Sequence, residues 1–182
     1  MGLVDGAPRV VRSDALDERA RGRIRALLDA AFAGDFSDDD WAHTLGGTHA
    51  LILGGDAAIA HASVVPRRLD AGGRALHAGY VEGVAVLPAL QRTGLGTAVM
   101  RALAPVIARD YDVGALSTGE WHFYERLGWE RWQGPTWVRQ ADGRRERTPD
   151  DDDGLMILRT ARTPALDVSA ALACEARPGD AW

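Results

Sequence analysis

Gly79-Tyr80-Val81-Glu82-Gly83-Val84-Ala85-Val86-Leu87-Pro88-Ala89-Leu90-Gln91-Arg92-Thr93-Gly94-Leu95-Gly96-Thr97-Ala98-Val99-Met100-Arg101 reads as a strand, a short loop and a helix. Val81, Val84, Ala85, Val86 and Leu87 form an apolar, β-branched-rich run that favours a buried strand. Pro88 ends it, because proline has no N–H to give to a ladder. Gln91 to Gly96 then line up backbone N–H groups at the start of a helix. Two glycines keep Cβ atoms away, and the helix dipole favours negative charge there, so the loop suits an anion such as a diphosphate.

Two familiar phosphate loops do not match. A Walker loop requires a lysine after its last glycine, and the chain contains no lysine at all. The dinucleotide fingerprint requires Gly-x-Gly-x-x-Gly on the first strand of a βαβ unit, which Gly94-x-Gly96 in mid-chain does not complete.

Outward from this stretch, residues 9–12 read as a short strand, followed by Ser13 or Asp14 as a cap. A helix over 16–33 follows, with Leu16, Ala20, Ile24, Leu27, Leu28, Ala31 and Phe32 at helical spacing and Gly34 as its stop. Ser37 caps a second short helix whose first turn holds Asp38, Asp39 and Asp40. Residues 49–54, 57–66 and 74–87 read as three antiparallel strands joined at Gly54-Gly55-Asp56 and Gly72-Gly73. The helix after the loop extends to about Arg109 with Pro105 inside it, so a kink and an irregular last turn are expected. Residues 113–117 read as a strand and 120–128 as a short helix. Residues 129–139 read as a strand pair about Gly134-Pro135, 140–154 as a solvated charged loop, and 155–158 as the last strand. The order predicts an α/β (α+β) domain with a mixed, mostly antiparallel central sheet flanked by helices.

The 182 residues suit a single domain, 1–182, with 46% hydrophobic and 26% charged residues. A net charge of −5, from 21 basic and 26 acidic residues, gives no basic balance for nucleic acid and suits a cationic partner. The lone Cys174 rules out an internal disulfide framework and accords with a reducing, cytoplasmic setting. No signal peptide or membrane-length apolar run is evident, so no membrane partner is expected. His43, His49, His61 and His77 fall on separate elements without ligand spacing and read as packing or surface residues, with no metal expected.

Gln91, Arg92, Gly94 and Gly96 resemble the Gln/Arg-x-x-Gly-x-Gly/Ala loop of the GNAT N-acetyltransferases, whose amides hold the pyrophosphate of coenzyme A. The GNAT fold places that loop between the fourth strand and the third helix. A narrower resemblance covers nearly the whole chain. Ala33-Gly34-Asp35-Phe36-Ser37, Trp41-Ala42-His43-Thr44-Leu45-Gly46-Gly47, Gly79 to Val86, Gly114-Ala115-Leu116-Ser117, Thr148-Pro149-Asp150-Asp151-Asp152 and Gly179-Asp180-Ala181-Trp182 are similar to the aminoglycoside 2′-N-acetyltransferases. The resemblance implies transfer of an acetyl group from acetyl-CoA, with no metal, to the 2′-amine of gentamicin- or tobramycin-type antibiotics, giving resistance.

It further implies direct transfer in a ternary complex, with Glu82 as general base through water and Tyr124 as proton donor to the departing thiolate. The Val84 N–H would polarise the thioester carbonyl. Val84, Val86, Gln91, Arg92, Thr93, Gly94, Leu95, Gly96 and Thr97 would hold the cofactor. Asp35, Asp40, Glu82, Gly83, Ser117, Asp152, Asp180 and the carboxylate of Trp182 would hold the polycationic substrate, since charge-assisted hydrogen bonds to ammonium groups are the strong ones. Four consecutive aspartates leave the register at Asp152 open, and Thr118 to Phe123 depart from the family pattern. A homodimer is implied. Two other readings stay open: a GNAT enzyme acting on another amine, such as a cell-wall sugar or polyamine, and a non-catalytic binder of CoA or aminoglycoside.

Overall fold

A computed structural model describes residues 6–182; residues 1–5 of the expected 1–182 domain lie outside them. Two compact units emerge, one from the chain up to Val65 together with Val81–Val106, the other from Pro66–Tyr80 together with Ile107–Trp182.

In the first unit β1 (Arg9–Arg12) pairs antiparallel with β2 (Thr48–Gly54), and β2 pairs antiparallel with the opening half of β3 (Ala57–Ala71). The closing half of β4 (Arg74–Val86) belongs here too. Helix α1 (Glu18–Ala31) buries Ile24, Leu27 and Leu28 against Leu51, Ala58 and Ala85. Each such side chain contributes about 1.5–3 kcal/mol by leaving water. Its cap is Asp17, whose carboxylate accepts from Ala20 N–H at 2.7 Å, rather than Ser13 or Asp14. Ser13 is instead turned inward by a short 3-10 segment, Ser13–Ala15. Helix α2 (Asp38–His43) starts from the expected Ser37 cap.

The second unit is built on a sheet ordered β6-β9-β5-β4-β3-β10-β7-β8, comprising β5 (Val113–Ser117), β6 (Glu130–Arg131), β7 (Thr136–Arg139), β8 (Arg145–Arg147), β9 (Leu155–Arg159) and β10 (Leu172–Glu175) with the remaining halves of β3 and β4. β4 pairs parallel with β5, and β10 parallel with β7; β5–β9, β6–β9, β7–β8 and β10–β3 are antiparallel. Helix α4 (Trp121–Glu125) follows β5.

Four expectations need correction. Residues 129–139 do not pair with themselves: Gln133 and Gly134 both donate to Val168 O, at 2.8 and 2.9 Å, which sends β6 to β9 and β7 to β10. The charged stretch 140–154 contains β8 and a 3-10 turn at Pro149–Asp151, because the last strand on the sheet path tolerates charge on every residue. Helix α3 (Leu95–Asp110) contains Pro105, and the irregular last turn expected after it is not seen, since Tyr111 N–H reaches Ile107 O at 3.1 Å. The C-terminal stretch, which shows little periodicity, supplies a further strand, β10.

Candidate active site

In the first unit, Gly83 interrupts β4 with φ +58, and a Cβ there would meet Thr44 Cγ2 at 2.9 Å. Only glycine fits, since the left-handed region already disfavours any side chain. The alternation of β4 breaks at this point: Glu82, Gly83 and Val84 are all half-buried, between buried Val81 and Ala85. Side chains hold the carbonyls on both sides of the kink. Ser63 Oγ donates to Glu82 O at 3.1 Å, and His61 Nδ1 meets Gly83 O at 2.7 Å. The half-buried Glu82 therefore sits on a backbone pinned from β3.

Beyond β4, a 3-10 turn at Pro88–Leu90 leads into exposed Gln91, Arg92, Thr93 and Gly94, and then into α3. Arg92 takes φ 61 and Gly94 φ 92, with open space where a Gly94 Cβ would lie. The first N–H groups of a helix have no partner within it, so Leu95, Gly96 and Thr97 present theirs at the helix end. This donor set fits an anionic diphosphate: backbone amides, a dipole of the right sign and the Arg92 cation nearby.

Asp35 is exposed after the turn formed by Ala33 (φ 55) and Gly34 (φ 85). Asp40 completes a capping box: its Oδ2 accepts from Ser37 N and Ser37 Oγ, both at 2.8 Å. Capping thus occupies one of its oxygens. A groove of about 450 Å³ in this unit, lined in part by Arg19, Arg23, Asp56 and Leu87, holds none of the candidate catalytic, cofactor-binding or substrate-binding residues.

In the second unit Tyr124 is 7% exposed and meets Phe123 and Trp129 edge-on. Burial, with Glu120 nearby, pushes its phenol above the ordinary range, so the hydroxyl stays protonated and able to donate. Ser117 ends β5 opposite Leu155, and Thr118 N–H donates to Gly154 O at 2.9 Å, which joins the strand end to the acidic run.

The four aspartates of that run have different surroundings. Asp152 is held by Arg147 through two hydrogen bonds, at 2.8 and 2.5 Å, and accepts from Thr136 N and Oγ1, each at 2.8 Å. Arg147, chiefly, holds its carboxyl down at about 2. Asp151 goes the other way: burial and then the neighbouring Asp180 carboxylate raise its pKa. A cation placed beside Asp151 and Asp180 would relieve that repulsion.

The chain end is anchored. Trp182 is 4% exposed and donates from Nε1 to Thr148 Oγ1 at 3.1 Å, while its N–H meets Asp180 Oδ1 at 3.1 Å. Arg67 clamps Ala181 O at 2.7 Å and Glu175 O at 3.0 Å, with its guanidinium 4.8 Å from the Tyr80 ring centroid. Asp180 and the Trp182 side chain are thus held in place.

Sequence reasoning gave no site role to Ser13, His49, His61 or Asp151, and full burial of the two histidines agrees with their reading as packing residues. His49 and His61 are fully buried at 0% exposure and hydrogen-bonded to each other at 2.9 Å. The available signal was His61 and Ser63 at alternate positions of an apolar strand, hence on one face, where buried polar groups require partners. Among the described residues, no group of three or more His, Cys, Asp or Glu could hold a metal ion, and no helix is long and apolar enough to cross a membrane.

Residues 14–132 match the family described as acetyltransferase (GNAT) domain. The fold is similar to that of YhbS, a GNAT family N-acetyltransferase from Escherichia coli solved with CoA, at TM-score 0.63 and 19% identity over 93% of this chain and 89% of that one. It is also similar to a GNAT family acetyltransferase from Brucella melitensis solved with acetyl-CoA, at TM-score 0.58 and 18% identity over 88% and 93%. Three longer matching chains are covered only to 32%, 36% and 33% of their length. In sequence, the chain is 46% identical over 179 residues to the aminoglycoside 2′-N-acetyltransferase of Mycolicibacterium fortuitum, covering 96% of this chain and 91% of that protein. The chain therefore belongs to the GNAT acetyltransferases and, within them, to the aminoglycoside 2′-N-acetyltransferase family.

Proposed function

We propose that this protein, as one acetyltransferase domain over residues 1–182, transfers the acetyl group of acetyl-CoA to the 2′-amine of aminoglycosides of the gentamicin and tobramycin type. The observation that carries this reading is the 46% identity, over 96% of the chain, to an enzyme named for that reaction. The loop from Gln91 to Thr97 supports a place for the CoA pyrophosphate, through its exposed amides and Arg92, and Val84 and Val86 line the strand that would run beside the pantetheine arm.

Glu82 takes the proton of the attacking amine through water. The Val84 N–H donates to the thioester oxygen as negative charge develops on it. As the new N–C bond forms and the C–S bond breaks, Tyr124 gives its proton to the departing thiolate; its raised pKa supports a hydroxyl that is protonated at neutral pH. Asp35, Asp40, Gly83, Ser117, Asp180 and the Trp182 carboxylate take the ammonium and hydroxyl groups of the substrate. From the acidic run, Asp151 takes the contact, while Asp152, held by Arg147 and Thr136, supports the loop. The homodimer implied by the family resemblance, and the cytoplasmic setting read from the single cysteine, belong to the same reading.

The test is CoA release from acetyl-CoA with tobramycin, which carries a 2′-amine, beside kanamycin A, which has a hydroxyl there. Release with tobramycin alone is expected. Release with both would move the reaction to another amine, and release with neither would refute the aminoglycoside reading. Glu82→Gln should lower turnover and flatten its pH dependence while CoA binding persists; unchanged rates at all pH values would remove the base.

A further inference from the structure

A chain of buried polar groups in the first unit ends on the peptide that carries the proposed oxyanion donor. Ser13 Oγ lies 2.7 Å from His49 Nε2, His49 Nδ1 lies 2.9 Å from His61 Nε2, and His61 Nδ1 lies 2.7 Å from Gly83 O. At the far end Gly46 N–H and Gly47 N–H both donate to Ser13 Oγ at 3.0 Å.

The direction of every bond follows from its last member. Gly83 O can only accept, so His61 Nδ1 carries the hydrogen. A neutral His61 then accepts at Nε2, which requires His49 Nδ1–H; His49 Nε2 accepts in turn, and Ser13 must give it the hydroxyl hydrogen. The alternative turns Ser13 Oγ–H toward Gly47 O, 3.2 Å away, and requires a hydrogen on both nitrogens of His49, that is, an imidazolium in the core. Burial opposes this: it holds His49 down at about 4, helped by Arg21, and His61 at about 3, helped by His49. The resting chain is therefore neutral and polarised one way, with all its donors aimed at Gly83 O.

The carbonyl of Gly83 and the N–H of Val84 belong to one peptide group. A donor on that oxygen draws charge through the amide and makes the N–H a stronger donor, and successive bonds in a line reinforce the effect. The same contact fixes the plane of a peptide that glycine alone would leave loose at φ +58. We propose that His61, backed by His49 and Ser13, is a positioning residue that orients and strengthens the Val84 N–H for the developing oxyanion. The proposal rests on the acetyl-transfer reading for its use, though not for the arrangement itself. Because the chain ends on a carbonyl, it cannot carry a proton to Glu82; its action is on geometry and polarity.

The test combines a resting-state readout with a kinetic one. Long-range ¹H–¹⁵N correlation of the ring nitrogens in the whole protein should show two histidines as the neutral Nδ1–H tautomer from pH 8 down to pH 5.5. An Nε2–H tautomer, or a protonated ring at neutral pH, for either of them would overturn the chain. In His61→Leu the Val84 amide proton should shift upfield, and His61→Asn, whose amide NH₂ reaches the position of Nδ1, should restore part of that shift. An unchanged Val84 resonance in a folded His61→Leu protein would overturn the link. With tobramycin, His61→Leu should lose about tenfold or more in kcat with little change in the KM for acetyl-CoA, and His61→Asn should recover part of it. Should His61→Leu fail to fold, Ser13→Ala tests the chain from its far end, with a smaller shift of the same sign. If the unaltered protein acetylates no aminoglycoside, the substrate reading fails, while the ring spectra and the Val84 shift still decide the positioning role.

Discussion

Lowering the pH from 7 to 5 should cost this protein about 3.5 kcal/mol of stability through His49 and His61 alone. Both rings are at 0% exposure, and burial holds them near 4 and 3 in the fold. In the unfolded chain each returns to about 6.5. Between these limits the unfolded state binds more protons, so stability falls as pH falls below about 6.5 and continues to fall until the folded values are reached. At pH 5 the unfolded form gains a factor of about 30 per ring, or about 2 kcal/mol, against a few tenths at pH 7. The result depends little on the folded values provided both stay below 5. Asp152, held at about 2, loses its contribution only below about pH 4 and so does not enter. Asp151, raised by burial and Asp180, acts with the opposite sign and trims the loss. Urea unfolding at the two pH values is the assay, with a thermal midpoint about 7–14 °C lower at pH 5 as its companion. Equal stability at pH 7 and pH 5, or a loss under 1 kcal/mol, would refute the assignment of two neutral buried rings.

The acidic run and the chain end give further tests. Asp152→Asn removes the partner of Arg147 and should cost about 1–2 kcal/mol at pH 7 with acetyl-CoA binding unchanged; water still reaches 30% of that side chain, which limits the effect. Asp151→Asn should leave stability level or slightly higher while raising the KM for tobramycin severalfold, and the reverse pattern between the two variants would return the substrate contact to Asp152. Deleting Trp182 should cost about 3 kcal/mol by opening the space it fills and freeing Thr148 Oγ1. A tag appended after Trp182 should weaken aminoglycoside affinity with less loss of stability, and unchanged affinity with the tag would place the terminal carboxylate away from the substrate.

Local patterns made the central motif legible. The apolar run from Val81, the stop at Pro88 and the glycines before α3 are short-range signals, and β1 to β5 and the first three helices followed from periodicity and caps. The pairings of the second unit were not visible in this way. β8 is three charged residues, and β10 is three small or apolar residues and a glutamate, lengths at which periodicity carries little information. The strand character of β10 comes from partners distant in sequence, Ala71 and Thr136 beside Leu172, and that of β8 from its pairing with β7. The same holds for the candidate site. The sequence by itself determined the chemistry available: a carboxylate within an apolar strand, a glycine-bearing loop at a helix start, a tyrosine on a short helix and acidic groups in several segments. Only the tertiary structure decided how those groups are used. It took Asp152 for Arg147 and left Asp151 beside Asp180, fixed the chain end through Arg67 and Thr148, and turned two histidines twelve residues apart into one polarised line behind Gly83. The physical reason is that hydrogen-bond direction, burial and charge repulsion are properties of neighbours in space, which a residue's own type and local spacing do not contain.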